Sequence, residues 1–195
     1  MLKIGVSKGR IEKAFFDLLI KKNIIDEIKM KSRQLSIKTK NLQILLLKPT
    51  DIINFVANNF LDLGVLGNDV IEENANDKII ELYDLETGKC NFSLISKPNK
   101  KINQIKTIAT KYPNISSKLL KEININCEIV KMEGSLELAP FLSYADAIID
   151  LVETGETLKT NRLEEKIKLY NVSTRIIANK QKNCNDIKNF IKKLN

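Results

Sequence analysis

Short apolar segments alternate with amphipathic segments along most of this chain, and this alternation restricts the fold more than any other feature. Residues 2–6 and 145–152 are largely apolar segments of strand length, and each precedes a glycine-containing turn and a segment with helical spacing. The first predicted helix places Ile11, Phe15 and Leu19 on one face. Strands that alternate with helices predict a parallel sheet and the α/β class.

The predicted elements form two series that separate near residues 88–106. Residues 33–48 predict a hairpin, and the helix that follows has Thr50 or Asp51 as its N-cap. Residues 166–180 predict one long or bent strand that can return to the first series. We therefore expect two lobes around a cleft, with ligands at the carboxyl ends of strands.

The charge balance suggests an anionic ligand but does not prove one. Lys and Arg outnumber Asp and Glu by 32 to 24, which gives a net charge of +8 and attracts anions. A general compositional bias towards lysine explains the excess equally well. A nucleic-acid-binding module would show a clustered basic face with interleaved aromatic residues, and this pattern is missing from the sequence.

The cysteine and histidine contents exclude several kinds of chemistry. Cys90, Cys127 and Cys184 are widely spaced without a CxxC motif, so we expect buried or partly buried thiols in a reducing compartment. The chain has no histidine, which excludes catalysis by an imidazole base. The start of the sequence does not resemble a signal peptide and no apolar run would span a membrane, so we expect a cytoplasmic protein.

Two of the predicted strand-to-helix turns are candidate sites in the first series. In the turn at residues 7–10, Gly9 lets the backbone approach an anion while Lys8 and Arg10 supply charge. An ordinary turn with two solvated cations is the alternative. The turn at residues 64–69 contains two glycines, which indicate close packing or a nearby ligand, and Asp69 either caps a helix or contacts substrate.

The third candidate is the segment DAIIDLVETGETLKTN, residues 146–161. Backbone N–H groups and threonine hydroxyls in such a turn can surround a phosphate. The segment resembles the phosphoribosyl diphosphate loop of phosphoribosyltransferases, although Ile149 replaces a second acid of that motif and Glu153 and Glu156 add negative charge. A plain turn with two capping threonines is the alternative.

A series of motifs extends this resemblance to one family. They are SKGR, KPTD, LDLGVLGNDV, GKC, IATKYPN, GSLELAP, ADAIIDLVETGETLKTN and STR, in the order and spacing seen in ATP phosphoribosyltransferase, over residues 2–177. The resemblance implies a two-lobed fold similar to the type II periplasmic binding proteins, with the active site in the cleft between lobes. It implies lobe one at 1–88 plus 173–195 and lobe two at 89–172.

The same resemblance implies a reaction and roles for individual residues. The phosphoribosyl group of phosphoribosyl diphosphate would pass to N1 of the adenine of ATP and release pyrophosphate, in the first step of histidine biosynthesis. Mg²⁺ is the implied cofactor. Residues expected to bind phosphate or diphosphate are Lys8, Arg10 and Arg33 as cations and Glu153, Thr154, Gly155, Glu156 and Thr157 as the 5-phosphate loop.

Two further acids, Glu137 and Asp150, are expected at the ribose hydroxyls or Mg²⁺. On residue type alone, Glu137 could be a charge at a helix start, Asp150 a buried capping acid and Arg33 a solvated strand residue.

The length of the chain resembles the short form of the family, which implies a regulatory subunit related to histidyl-tRNA synthetase and a hetero-oligomer with homodimeric catalytic units. The rival hypothesis is a non-catalytic two-lobed ligand-binding or effector domain. We favour the enzyme because a simple anion sensor needs only one of the two phosphate-type turns, and this sequence has both.

Overall fold

The computed structural model describes residues 1–26, 34–182 and 184–194. It divides the chain into two compact units, Met1–Gly88 with Ser173–Asn195 and Lys89–Val172. We call these unit 1 and unit 2. Each unit contains one β-sheet with helices connecting its strands.

The strands and helices follow each other along the chain as the alternating pattern predicts. The first half contains β1 (Leu2–Ser7), α1 (Arg10–Lys21), β2 (Ser36–Lys38), β3 (Leu42–Leu47), α2 (Pro49–Ala57), β4 (Leu63–Gly67), α3 (Asn68–Glu73), β5 (Ile79–Asp84) and β6 (Cys90–Ser96). The second half contains β7 (Thr107–Thr110), α4 (Pro113–Glu122), β8 (Glu128–Lys131), α5 (Leu138–Phe141), β9 (Ala147–Val152), α6 (Glu156–Thr160), β10 (Glu164–Val172), β11 (Thr174–Asn179) and α7 (Asn185–Leu194).

Unit 1 is built on a mixed sheet with the strand order β2-β3-β1-β4-β11-β5. β1 runs parallel to β3 and β4, whereas β2 and β11 pair with their neighbours in the antiparallel direction. The antiparallel pair β2 and β3 is the hairpin that the sequence predicted. The prediction of a parallel sheet was wrong for β11, which is antiparallel to both of its neighbours. Apolar side chains of the sheet and of α1 and α7, including Ile4, Phe15 and Phe190, form the core on one face.

Unit 2 has a second mixed sheet with the order β10-β6-β9-β7-β8. β7 runs parallel to both β8 and β9, while β6 is antiparallel to β9 and β10. The fully buried side chains of Ile95, Ala109 and Ile148 form the centre of one of its cores. β9 is thus a central strand, and its carboxyl end leads directly into the predicted phosphate loop.

The segment predicted as one long strand forms two strands in different sheets. β10 pairs with β6 in unit 2, whereas β11 pairs with β4 and β5 in unit 1, and Ser173 lies between the two strands. The N–H of Ser173 donates to Oδ1 of Asn68 at 3.0 Å, and the N–H of Asn68 donates to the carbonyl of Ser173 at 3.1 Å. These two hydrogen bonds fix the chain where it leaves one ladder and enters the other.

Two helices begin at residues other than those predicted to cap them. Lys48 is the N-cap of α2, and Pro49 takes the first helical position, where its missing N–H costs nothing. Gly67 is the N-cap of α3, so Asp69 lies inside the first turn and is buried. A carboxylate in a first turn still interacts favourably with the positive end of the helix dipole.

The cysteines have the environments that the sequence predicted. All three are free thiols, with Cys90 buried and Cys127 and Cys184 partly buried. Burial raises the pKa of the Cys127 thiol, which reduces its reactivity as a thiolate. Among the helices in the described ranges, none has both the length and the apolar character needed to cross a bilayer.

Candidate functional site

The carboxyl end of β9 positions an acid beside the phosphate-type loop. β9 is buried along Ala147–Ile149, while Asp150 near its end is only partly buried. Oδ1 of Asp150 accepts a hydrogen bond from the N–H of Leu151 at 2.8 Å, and this bond holds the carboxylate close to its own backbone. The acid is therefore oriented by a strand rather than by a mobile loop.

Gly155 provides the conformation that turns the chain from β9 into α6. Its φ of 75° and ψ of 5° lie in the left-handed region, which glycine adopts without the steric cost paid by other residues. A Cβ placed on Gly155 would meet no atom within 4 Å, so crowding does not explain the glycine. The open side leaves the backbone accessible to a ligand.

The first turn of α6 supplies hydrogen-bond donors to this open side. The first N–H groups of a helix have no partner within the helix, and here the N–H of Glu156 makes a long hydrogen bond of 3.4 Å to Oγ1 of Thr154. Buried Leu158 anchors the helix to the core of unit 2. The loop thus presents backbone donors and threonine hydroxyls from a fixed base.

The structure brings most of the predicted loop residues and both predicted acids to one pocket of about 240 Å³ in unit 2. The polar lining consists of Glu137, Asp150, Glu153, Thr154, Gly155 and Thr157. Glu156 is exposed on α6 and is not part of this lining. Pockets that enclose a complete small ligand usually measure ~300–1,000 Å³, so this pocket fits one part of a larger substrate.

Three carboxylates dominate the electrostatics of the pocket. Glu137, Asp150 and Glu153 line it, and within the described residues no lysine or arginine does. A phosphate bound here would need compensating positive charge. Within the same described ranges, no group of three or more acids, cysteines or histidines could hold a metal ion by itself.

Glu137 reaches the pocket from a separate element. It is the N-cap residue of α5 and is partly buried. Its position beside Asp150 could be inferred only from the family resemblance, since no local pattern connects the two residues. The apolar walls formed by Ile95 and Leu158 were not singled out from the sequence.

The predicted cationic turn lies in unit 1. Gly9 has a φ of 94°, and its N–H donates to Oε2 of Glu12 at 3.1 Å, which closes the turn before α1. Lys8 is exposed, and partly buried Arg10 is the first residue of α1. A Cβ placed on Gly88 would lie 4.0 Å from Nε of Arg10, so the arginine packs beside the backbone of Gly88.

The other unit 1 predictions have different outcomes. A Cβ on Gly64 would come within 2.5 Å of Ile52 Cγ2 and 2.9 Å of Ile177 Cγ1, so close packing accounts for this glycine. Asp69 is buried at the start of α3. Arg33 lies outside the described residues.

The fold and the pocket define the class of this protein. It is a two-unit α/β protein in which a central strand ends at a glycine turn beside a pocket lined by acids and threonines. A solved Candida albicans protein with the generic periplasmic binding protein fold superposes with a TM-score of 0.66 at 14% identity, and the match covers 100% of this chain and 69% of that one. This likeness confirms the predicted fold class.

Sequence comparisons identify the family. The HisG family model, described as ATP phosphoribosyltransferase, matches residues 48–195. ATP phosphoribosyltransferase of Listeria monocytogenes is 44% identical over 184 residues, which are 92% of this chain and 86% of the relative. An ATP phosphoribosyl transferase (HisG:HisZ) complex from Thermotoga maritima matches with a TM-score of 0.82 at 28% identity, over 100% of this chain and 96% of that one. The chain belongs to the ATP phosphoribosyltransferase family.

Family membership confirms the predicted activity. The chain is a transferase that catalyses the first step of histidine biosynthesis. The enzyme hypothesis is therefore supported over that of a non-catalytic effector domain.

Proposed function

We propose that the pocket at the end of β9 binds the ribose 5-phosphate part of phosphoribosyl diphosphate. The convergence of the loop and both predicted acids on this pocket carries the proposal. Backbone N–H groups of the loop and the hydroxyls of Thr154 and Thr157 would hold the 5-phosphate. The carboxylates of Glu137 and Asp150 would accept hydrogen bonds from the ribose hydroxyls. Glu153 and Glu156 would contribute through their backbone, because their side chains would repel the phosphate.

Mg²⁺ is the proposed cofactor, and the pocket fits such a role. The bound ion would neutralise the diphosphate, and Glu137 or Asp150 would provide one carboxylate ligand directly or through water.

The cationic turn in unit 1 is proposed to bind the remaining anionic groups. Lys8 and Arg10 would contact the diphosphate or the phosphates of ATP, and Arg10 has the fork geometry for a bidentate phosphate contact. Asp69 is proposed as a further substrate contact in unit 1. Arg33 is proposed for the same cationic set on the family resemblance.

The reaction requires positioning more than acid–base chemistry. N1 of adenine forms a bond to C1 of the ribose while the bond from C1 to the diphosphate oxygen breaks, and pyrophosphate leaves with that electron pair. The ring nitrogen carries a lone pair without prior deprotonation, and the pyrophosphate is a good leaving group. Residues that align the two substrates and stabilise developing charge can therefore supply the catalysis. A protein without histidine can do this.

A regulatory subunit is the proposed partner. The Thermotoga maritima match is a HisG:HisZ complex, and we propose that this chain likewise forms a hetero-oligomer with a regulatory subunit related to histidyl-tRNA synthetase. We place this assembly in the cytoplasm, where ATP and phosphoribosyl diphosphate are available and free thiols remain reduced.

Pyrophosphate release tests the activity, and binding tests the site. The chain with its regulatory subunit should release pyrophosphate only when ATP, phosphoribosyl diphosphate and Mg²⁺ are all present. The Thr154→Val and Thr157→Val double variant should bind phosphoribosyl diphosphate at least about 10-fold more weakly in calorimetry, because it loses two hydroxyl donors. Wild-type affinity in the double variant would reject the loop assignment while leaving the enzyme activity established.

A further inference from the structure

A buried serine lies opposite Asp150 in the sheet of unit 2. β6 runs antiparallel to β9, and its register places Ser93 directly across from Asp150. Residues that face each other in an antiparallel pair point to the same side of the sheet, with their Cβ atoms ~4.5–5.5 Å apart. The next pair on this side is Ile95 with Ile148, and both line the pocket, as Asp150 does. Ser93 is therefore on the side of the sheet that carries the pocket.

The hydroxyl of Ser93 makes no hydrogen bond to any residue that the structure describes. The side chain is completely buried, as are those of Phe92 and Leu94 on either side of it. A buried polar group without a partner is uncommon in native proteins, because it has lost its hydrogen bonds to water and has gained none in return. An alanine would fill nearly the same space without this cost. Packing within unit 2 therefore does not explain a serine at this position.

Asp150 is the group that can use this hydroxyl. Its side chain is partly buried, and Oδ1 already accepts the N–H of Leu151 at 2.8 Å. A carboxylate can accept several hydrogen bonds, and a serine hydroxyl can reach it across the distance between paired strands. Rotation about the side-chain bonds of the two residues would form this bond without movement of the backbone. A hydrogen bond to an ionised carboxylate is also stronger than one between neutral groups.

We infer that Ser93 is a positioning residue for Asp150 when phosphoribosyl diphosphate binds. This inference rests on the proposed contact between Asp150 and the ribose hydroxyls. Those hydroxyls donate to the carboxylate from the pocket, while Ser93 donates to it from within the sheet, so that the carboxylate is held from both sides. Ser93 does not line the pocket, and it therefore acts through Asp150 without touching the substrate.

A double-mutant cycle on Ser93 and Asp150 tests the inference. Calorimetry on the chain assembled with its regulatory subunit measures the affinity for phosphoribosyl diphosphate in the presence of Mg²⁺. Ser93→Ala should weaken this binding about 10-fold, through the loss of one hydrogen bond to a charged group, and should leave the KM for ATP unchanged. Asp150→Ala should weaken binding at least as much. The Ser93→Ala, Asp150→Ala variant should bind no more weakly than Asp150→Ala, because both substitutions remove the same interaction.

Thermal unfolding separates this positioning role from a structural one. Ser93→Ala removes a buried hydroxyl that lacks a partner, so we expect the variant to unfold at the wild-type temperature or above it. Ser96 offers a matched control, because it is also fully buried on β6 but pairs with Ala147 at the other end of β9. The hydroxyl of Ser96 donates to the carbonyl of Lys97 at 3.3 Å. Ser96→Ala should lower the unfolding temperature slightly and keep the wild-type affinity for phosphoribosyl diphosphate.

The possible outcomes distinguish this inference from the proposed role of Asp150. If Asp150→Ala weakens binding and Ser93→Ala does not, the inference is overturned and the ribose contact stands. Wild-type affinity in Asp150→Ala would reject both. Additive effects of the two substitutions would show that Ser93 does not act through Asp150. Weaker binding by Ser93→Ala together with a lower unfolding temperature would show that the serine stabilises unit 2 and does not position the acid.

Discussion

Nζ of Lys100 lies 2.5 Å from Oδ1 of Asp146 in unit 2. The other carboxylate oxygen of Asp146 accepts hydrogen bonds from the backbone N–H groups of Lys106 at 2.8 Å and Thr107 at 3.2 Å. One carboxylate therefore joins the segment before β7, the start of β9 and the loop that carries Lys100. This connection lies at the amino-terminal end of β9, opposite to the end that carries the pocket.

Asp146 should make unit 2 sensitive to acid. The hydrogen bond from Lys100 and those from the two backbone N–H groups hold the pKa of Asp146 below its ordinary value of 3.8. A carboxylate with a lowered folded-state pKa contributes its full stability above the unfolded-state pKa and loses it as the pH falls through the folded-state pKa. We expect this contribution to be constant above about pH 5, to begin to fall near pH 4 and to be lost as the pH drops through the lowered pKa of Asp146.

The Asp146→Asn variant measures this contribution. It should lower the free energy of unfolding by about 1 kcal/mol at neutral pH, a modest value because solvent screens the partly exposed ion pair. Thermal unfolding from pH 7 to pH 3 should show the difference from wild type shrinking at the acidic end. Glu133→Gln, which removes an exposed partner of Lys131, is the control and should have little effect. If the difference in stability between wild type and Asp146→Asn is the same at every pH, the negative charge of Asp146 is not what stabilises unit 2.

The loop should require glycine at position 155 because of its left-handed backbone conformation, and not because a side chain there would be crowded. Replacement by alanine puts a Cβ on a residue with a φ of 75°, which costs roughly 1 kcal/mol and changes the loop. We expect the KM for phosphoribosyl diphosphate to rise about 10-fold while the KM for ATP changes little. Gly134→Ala is a matched control, since Gly134 also has open space around it but no positive φ. If Gly155→Ala and Gly134→Ala change the KM for phosphoribosyl diphosphate equally, the left-handed conformation of Gly155 is not what binding requires.

Local sequence motifs predicted the strands, the helices and the loop at Gly155. They did not predict which distant strands pair with each other. The loop at Gly155 is specified by neighbouring residues, so its turn and the following helix were predicted. The division between β10 and β11 depends on which strands each one pairs with, namely β6 in one unit and β4 in the other. Ser173 interrupts an apolar alternation without a glycine or proline, so no local signal marks the break.

The candidate site shows the same limit. Asp150, Thr154 and Thr157 lie within one short segment of the sequence and were found from one motif. Glu137 joins them only because α5 packs beside β9, and this is a tertiary contact that no periodicity reveals. The predicted N-caps were wrong because they were chosen by residue type, which favours Thr50 and Asp69. In the structure the preceding strands end earlier, so Lys48 and Gly67 are the N-cap residues of α2 and α3.

Glu137 can be separated from the phosphate loop by its dependence on Mg²⁺. The Glu137→Gln variant keeps the size of the side chain but loses the charge that would bind Mg²⁺ or a ribose hydroxyl. We expect the Mg²⁺ concentration for half-maximal activity to rise about 10-fold, by analogy with the loss of one charged metal contact. Glu133→Gln changes an exposed acid nearby in sequence and should behave as wild type. If the Mg²⁺ dependence of Glu137→Gln is unchanged, Glu137 does not bind the metal ion. A raised KM for phosphoribosyl diphosphate in this variant would then assign Glu137 to the ribose hydroxyls.

A substitution at Arg10 tests whether the cationic turn makes a bidentate contact with phosphate or contributes only its positive charge. Arg10 begins α1, and its side chain packs beside the backbone of Gly88, so its guanidinium is more constrained than that of a freely solvated arginine. Arg10→Lys retains the positive charge but loses the planar fork that binds two phosphate oxygens at once. We expect kcat/KM to fall about 10-fold or more, with the circular dichroism spectrum unchanged. Arg162→Lys, at an exposed position after α6, provides the same substitution in unit 2 and should retain wild-type kinetics. Should Arg10→Lys also retain them, the arginine acts as a plain cation and the phosphate contact must be assigned to another residue.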